Sequence, residues 1–579
     1  MKVKLAKAAG FCMGVRRAME IVLAEVNKGE GPIYTFGPLI HNKQVLDLLA
    51  SKGVTVLESI EDLDDKGEGM IVIRAHGIPP QERRAIRETG LKLIDATCPR
   101  VAKVHGIIRS YTRKGYSGLI VGDRAHSEVR GLAGYGNDRM HVIESVDDIS
   151  GLPDMRHVFV VAQTTQNEQT YREVVNALKR RFPEILVFDT ICNATHDRQE
   201  ATRSFAGHVD AVVVVGGYHS ANTQRLVEVS REEGITTFHV ETKEDLDKKN
   251  LSGLEAIGVT AGASTPNWMI KDVVREIERI RGRSETWLGS WVRRLFHFLV
   301  LSNVAVGAGA FFLAYAASAL SRRNMGLLFP SLSFFYVYAM HVLNLFLDKG
   351  ASAYNDPDRA AFLRKFRRLL IMTGVGATTI VLVLSLTAGI MTFLTVAALC
   401  LLGAAYSIPL VPDRFQRKWH YSRIKDIPGS RSLSEALAWM AIITVVPLLS
   451  TPSIVWPAAI ISALFVLLMS YTRSALFDIF QVQGDLIVGA ETLPITLGER
   501  RTLRLLKIVL LSIGVVMGVS PVLGLVGPFS YLMLLPLLTL SFCVIAYERR
   551  WIYPGTMMEA LVEANFFLAG FLAIVWQAA

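Results

Sequence analysis

Three stretches of this chain contain no Asp, Glu, Lys or Arg: residues 369–412, 436–472 and 508–547. About 20 residues of helix cross the hydrocarbon of a bilayer. Each stretch is about twice that length and predicts two helices with a tight turn between them. Pro452 and Ser453 mark one turn, Gly527 and Pro528 another. Adding 295–320, 325–347 and 557–577 predicts nine spans. The last contains Glu559 and Glu563, which are costly at membrane depth. Only 20% of residues are charged and 51% are hydrophobic, which excludes disorder. Five Cys and no glycine period exclude a disulfide scaffold and a collagen.

Charge gives the direction of crossing. With the N-terminus inside, the inner loops 348–368, 411–432, 473–507 and 548–556 hold 6, 6, 5 and 2 Lys+Arg. The outer loops hold Arg322 and Arg323. Positive residues stay on the cytoplasmic side, so the C-terminus is expected outside. Residues 284–294, with Trp287, Trp291, Arg293 and Arg294, read as an interfacial linker. The start MKVKLAKAAGFCMGV lacks the apolar core of a signal peptide. The first half is therefore expected in the cytosol, where thiols stay reduced and bind metal or react. The net charge of +10 suits an anionic substrate or membrane face and does not by itself imply nucleic acid.

Residues 1–283 repeat one unit: a β-branched run, a Gly-containing loop, then a helical pattern. Strands are predicted at 2–6, 33–36, 70–75, 91–95, 117–121, 157–162, 186–188, 211–215, 236–240 and 256–260. This alternation predicts an α/β fold with mostly parallel sheets. In such sheets ligands gather beyond the carboxyl ends of the strands. Those ends carry Cys12, His41, His76, Cys98, His126, Glu128, Thr164, Cys192, Ser220, Asn222 and Ser264. Converging sheets would make them one site.

The three cysteines are 86 and 94 residues apart, which suggests three similar subdomains giving one thiolate each. No CxxC pair exists, so a zinc ribbon and a thioredoxin motif are excluded. Three thiolates fit a [4Fe–4S] cluster with one iron open to substrate, although buried Cys is also a common core residue. Three imidazoles with Ser, Thr and Asn at helix N-termini suit phosphate oxygens. His126 and Glu128 pair an imidazole with a proton-carrying carboxyl. Neither nucleotide-binding glycine motif is present.

These residues stand in FCMGV, GPLIHN, RAHG, DATCP, AHSEV, QTT, ICNAT, SANTQRL and GVTAGAS. In that order they resemble the 4-hydroxy-3-methylbut-2-enyl diphosphate reductases, the LytB or IspH family, across residues 1 to about 282. The resemblance implies a trefoil of three α/β subdomains around a [4Fe–4S] cluster held by Cys12, Cys98 and Cys192. It implies that His41, His76 and His126 line a diphosphate pocket with Ser220, Asn222 and Ser264. Ala221 stands where the family often has a second Ser, and its backbone N–H would serve. Glu128 would deliver the proton and Thr164 would assist at the substrate hydroxyl. The implied reaction is reductive removal of that hydroxyl as water. It yields isopentenyl and dimethylallyl diphosphate, with a ferredoxin or flavodoxin as electron donor.

The membrane half carries two carboxylate groups at predicted inner helix ends. One runs from Asn344 through Asp348 to Asn355, Asp356 and Asp358; the other is Asp478, Gln481 and Asp485, followed by TLPITLG. Facing carboxylates suit Mg²⁺ against a diphosphate leaving group. Residues 295–579 resemble the UbiA family of intramembrane prenyltransferases, with Tyr406, Ser407 and Lys425 as further candidates. The family pattern has acidic residues where Ser352 and Gln481 stand. Those departures weigh toward an inert membrane anchor, and the retained Asp348, Asp478 and Asp485 weigh toward prenyl transfer to a lipophilic acceptor. A non-enzymatic iron–sulfur sensor is disfavoured by Glu128 and the complete pocket. The expected chain is a bifunctional cytoplasmic-membrane enzyme.

Overall fold

The computed structural model describes residues 2–62, 68–280, 287–323, 326–347, 357–407, 427, 429–490, 492–552 and 555–578. The chain divides into two compact units, Met1–Glu285 and Thr286–Ala579.

The first unit has twelve strands in three four-stranded sheets. They are β1 (Lys2–Leu5), β2 (Ile33–Phe36), β3 (Val54–Leu57), β4 (Met70–Ile73), β5 (Lys92–Asp95) and β6 (Ser117–Val121). Then come β7 (Met140–Ile143), β8 (Val158–Ala162), β9 (Leu186–Val187), β10 (Ala211–Val215), β11 (Thr236–Val240) and β12 (Ala256–Ala261). Every pairing is parallel. The orders are β3-β2-β4-β5, β7-β6-β8-β9 and β11-β10-β12-β1. Each sheet thus places its strands second, first, third, fourth. The third sheet borrows its fourth strand from the start of the chain, with Lys2 opposite Ala256 and Leu5 opposite Val259. This is the expected trefoil.

The central strands MIVI, VFVVA and AVVVV are buried at every residue. Parallel strands covered by helices on both faces need such continuous apolar runs. Two strands lay outside the sequence prediction, β3 and β7. Both are sheet edges, and half or more of each is not buried. In β12, a Cβ on Gly258 would meet the Phe205 ring at 2.9 Å, so ring and strand are in contact only because that side chain is missing.

The second unit is helical. Seven described helices are long and apolar enough to cross a membrane: Leu328–Phe346, Arg367–Thr387, Ser430–Leu448, Trp456–Val488, Glu499–Val519, Phe529–Glu548 and Thr556–Ala578. The expected span 295–320 is a bent pair, Arg294–Leu301 and Val304–Leu320, turned by 74°. The break falls at Asn303, whose φ of 61° is left-handed and cannot continue a right-handed helix. The second helix expected in 369–412 is Ile390–Tyr406, an apolar helix at the short end of the spanning range. Among the described residues, seven helices, or eight with the bent pair, are long and apolar enough to cross, and Ile390–Tyr406 is a ninth, shorter apolar helix. Both expected turns, at 452–453 and 527–528, lie between helices. The segment read as a linker is helical from Trp287. Met372, Leu401, Leu511 and Leu538 are among many large apolar side chains left exposed. Such a surface suits lipid, and the chain is a multi-pass membrane protein.

Arg473, read above as an inner-loop charge, lies inside Trp456–Val488 and is buried. Its Nε donates to Glu563 at 2.7 Å, and Nη1 donates to Glu435. Glu559 in turn accepts from Arg359 at 2.8 Å. The acidic residues of the last span are thus paired, which is what makes them tolerable there.

The Gly258–Phe205 contact gives a stability test. Gly258→Val forces the ring aside or strains β12. Overpacking of this kind costs about 1–3 kcal/mol, so thermal unfolding of the purified chain should show the first unit melting earlier. Phe205→Ala in the same background should recover part of the loss.

Candidate functional site

The common strand order repeats in the loops. Five residues beyond the first strand of each sheet stand His41, His126 and Ser220. Three beyond the third strand stand His76, Thr165 and Ser264. Beyond the fourth strand a cysteine N-caps the next helix: Cys98 before Pro99–Arg113, Cys192 before Asn193–Arg203 and Cys12 before Met13–Lys28. The backbone N–H of each cysteine donates across to the third-strand loop. Cys98 bonds to Ala75 O at 2.9 Å, Cys192 to Thr164 O at 2.9 Å and Cys12 to Ala263 O at 3.1 Å. One hydrogen-bond pattern, used three times, brings the three thiols to one cavity.

That cavity is lined by Cys12, Cys98 and Cys192, by His41, His76 and His126, and by Glu128, Thr164, Ser220, Ala221, Asn222 and Ser264. All the residues expected for the first unit therefore meet in one place. The loops touch closely: a Cβ on Gly14 would lie 2.5 Å from Cys98 Sγ. None of the three cysteines forms a disulfide. Burial pushes the Cys98 thiol up, and the neighbouring Cys12 and Cys192 sulfurs add to this.

The imidazoles form a triangle with centroid separations of 5.0, 5.9 and 5.4 Å. Burial, aided by Arg74, pulls His41 and His76 below the ordinary range. His126 is pulled down to about 4, chiefly by burial. All three are neutral at pH 7. His126 Nδ1 accepts the Glu128 N–H at 3.1 Å, so its proton sits on Nε2, which is a donor. His76 Nδ1 and Asn222 Nδ2 are buried with no hydrogen-bond partner among the described residues. Ser220 Oγ and Ser264 Oγ lie 3.3 Å apart, and Ser264 Oγ donates to His41 O at 3.2 Å. Buried polar groups are normally hydrogen-bonded, so the His76 and Asn222 atoms suit a polar ligand.

Glu128 is buried, with 1% of its surface exposed. Thr164 donates twice to its carboxylate, from N–H at 2.7 Å and from Oγ1 at 2.9 Å. Desolvation outweighs these bonds and pushes the carboxyl up to about 7. The group can therefore hold or release a proton near neutrality.

A family model of the LytB protein matches residues 3–278. The 4-hydroxy-3-methylbut-2-enyl diphosphate reductase of Alkaliphilus oremlandii (strain OhILAs) is 41% identical over 282 residues, 48% of this chain and 100% of that one. The chain belongs to the LytB family. The corresponding reductase of Geotalea uraniireducens (strain Rf4) is 44% identical over 280 residues, 48% of this chain and 98% of that one. The second half is a UbiA prenyltransferase family domain, matched over residues 300–571. A solved UbiA homolog from Archaeoglobus fulgidus bound to DMAPP and Mg²⁺ covers 48% of this chain and 99% of its own, at 15% identity and a TM-score of 0.31.

Sequence reasoning passed over Thr165, Thr195 and Arg198, which also line the LytB cavity. Thr165 was findable, since it holds the third-strand position of His76 and Ser264. In the UbiA half, Asp348, Ser352, Asp356 and Lys425 lie outside the described residues, as does the side chain of Ser407. Asn344 is on Leu328–Leu347. Tyr406 ends Ile390–Tyr406, with its hydroxyl buried. Asp478 and Asp485 are buried on Trp456–Val488, seven residues apart and so on one face. Arg431, which no motif singled out, lies against both.

The Glu128 environment predicts a titration. Its folded value exceeds the ordinary carboxyl value of 4.5. The fold therefore favours the protonated form, and stability present at lower pH is lost as pH rises through 7. Infrared difference spectra should show a carboxyl band with a midpoint near 7 that is missing in Glu128→Gln. Thr164→Val removes a bond to the ionised form and should move the midpoint upward.

Proposed function

We propose that the LytB half reduces 4-hydroxy-3-methylbut-2-enyl diphosphate to isopentenyl and dimethylallyl diphosphate, consuming two electrons and two protons and releasing water. The observation that carries this reading is the meeting of three free thiols, a buried carboxyl titrating near 7 and an unsatisfied polar cradle in one cavity. The named activity of relatives matched over their whole length supports it.

The donor set fits a [4Fe–4S] cluster: three cysteines on three sheets, with no fourth cysteine lining the cavity. Cys12, Cys98 and Cys192 would hold it, and bound there it supplies electrons and a Lewis-acidic iron. The neutral imidazoles donate hydrogen bonds to diphosphate oxygens through their N–H groups. Ser220, Asn222, Ser264 and the N–H of Ala221 complete the cradle at a helix N-terminus. Glu128 holds its proton until the hydroxyl leaves, then delivers it to the departing oxygen. Thr164 fixes the Glu128 carboxyl through two bonds and stands beside the hydroxyl. Electrons come from a ferredoxin or flavodoxin class donor. The charge asymmetry of the loops supports a cytoplasmic-membrane protein with its reductase half in the cytoplasm.

The membrane half is read as a prenyltransferase for a lipophilic acceptor, on the strength of its family match and of two buried carboxylates sharing a helix face. A Mg²⁺ donor set is only partly present there, because Arg431 already engages both carboxylates.

Anaerobically purified protein should carry about four irons and reduce the hydroxylated diphosphate when given a reduced donor. Cys98→Ser should lose iron; full retention would remove the cluster assignment. Glu128→Gln should keep the iron and lose turnover by ~10²–10⁴, the usual contribution of a positioned acid. Separately, membranes holding the chain should transfer a prenyl group when Mg²⁺ is present. Asp478→Asn should stop transfer and leave reduction intact. No transfer to any of a broad acceptor panel would favour the anchor reading.

A further inference from the structure

The second carboxylate motif of the membrane half is already occupied by a side chain. Asp478, Gln481 and Asp485 share one face of Trp456–Val488. Ser432 Oγ donates to Asp478 Oδ2. Arg431 Nε lies 3.6 Å from Asp478 Oδ1, and its Nη1 lies 3.6 Å from Asp485 Oδ2. Its Nη2 donates to Gln481 Oε1 at 3.3 Å. One guanidinium fork thus spans all three side chains. Asp478 and Asp485 are 2% and 0% exposed, so a counter-charge there offsets the cost of burying them ionised. Gln481 suits this arrangement, since it accepts an N–H without adding a third negative charge.

We propose that Arg431 is the resident counter-cation of this motif, and that a divalent cation enters only when a diphosphate draws the guanidinium away. Both cations need the same carboxylate oxygens, and arginine cannot relieve the competition by losing its proton. A diphosphate offers the guanidinium fork a match of greater charge. Once the fork turns to it, Asp478 and Asp485 lose the Arg431 counter-charge and take up the divalent ion. Cation and diphosphate therefore bind cooperatively. The competition stands on the Arg431 geometry alone; the diphosphate trigger rests on the prenyltransferase reading above.

The test uses Mn²⁺ as probe, followed by electron paramagnetic resonance on the full chain in lipid nanodiscs. Inorganic pyrophosphate is the second ligand, and the Asp478→Asn chain serves as blank for Mn²⁺ bound by pyrophosphate or elsewhere. The wild type should bind Mn²⁺ weakly alone and on the order of tenfold more tightly with pyrophosphate, a normal coupling between sites. Arg431→Gln should bind Mn²⁺ tightly without pyrophosphate and gain little from it. A merely structural arginine gives no such gain when removed. If Arg431→Gln binds Mn²⁺ no better than wild type, the competition is overturned. If it binds better while pyrophosphate leaves the wild type unchanged, the trigger is overturned and the proposal with it, whatever the prenyl-transfer assay gives.

Discussion

The pairing of β1 with β12 is the constraint on which the reductase site depends. Two of the three sheets are built from consecutive chain. The third is completed only when Lys2–Leu5 returns to lie beside Ala256–Val259. That return gives Cys12 a loop equivalent to those of Cys98 and Cys192, with its N–H on Ala263. A three-thiol site on one face is a consequence of backbone hydrogen bonds formed between the two ends of a 285-residue unit. No local sequence preference could place the third sulfur.

Much of this was legible, for a physical reason. Central parallel strands are apolar on both faces, so AVVVV and VFVVA announce themselves, and the polar residues just beyond them mark the carboxyl ends. Edge strands have weaker signatures. VTVL is buried only at its ends and MHVI only at Ile143, so β3 and β7 look like loops in sequence. Arg473 was misplaced for a related reason. A lone charge bordering an uncharged run reads as the run's end unless its partners, Glu435 and Glu563, are known. Those lie 38 and 90 residues away. Burial of charge is decided by pairing, and pairing is a tertiary fact.

The charge state of the imidazole-lined cavity is not conveyed by residue types alone. Three histidines suggest a positive cradle. Burial and mutual proximity make them neutral instead. They then act as oriented N–H dipoles, with the His126 tautomer fixed by the Glu128 backbone. The Glu128 carboxyl, pushed up to about 7 by burial, can hold or release a proton near neutrality. Separation of binding groups from the titrating group follows from one cause, desolvation, acting with opposite sign on bases and acids.

The same principle runs differently in the membrane half, where a charge cannot be neutralised by solvent. There the chain answers each buried carboxylate with a guanidinium: Arg473 for Glu435 and Glu563, Arg359 for Glu559, Arg431 for Asp478 and Asp485. The first two arginines are largely buried, while the Arg431 side chain keeps 34% of its surface exposed. A guanidinium locked between carboxylates is structural, whereas one with an open flank can exchange partners when a better anion arrives. Exposure, and not the number of ion pairs, therefore separates the arginine that can move from those that hold helices together. By that criterion Gln481 fits a site whose resting cation is part of the protein.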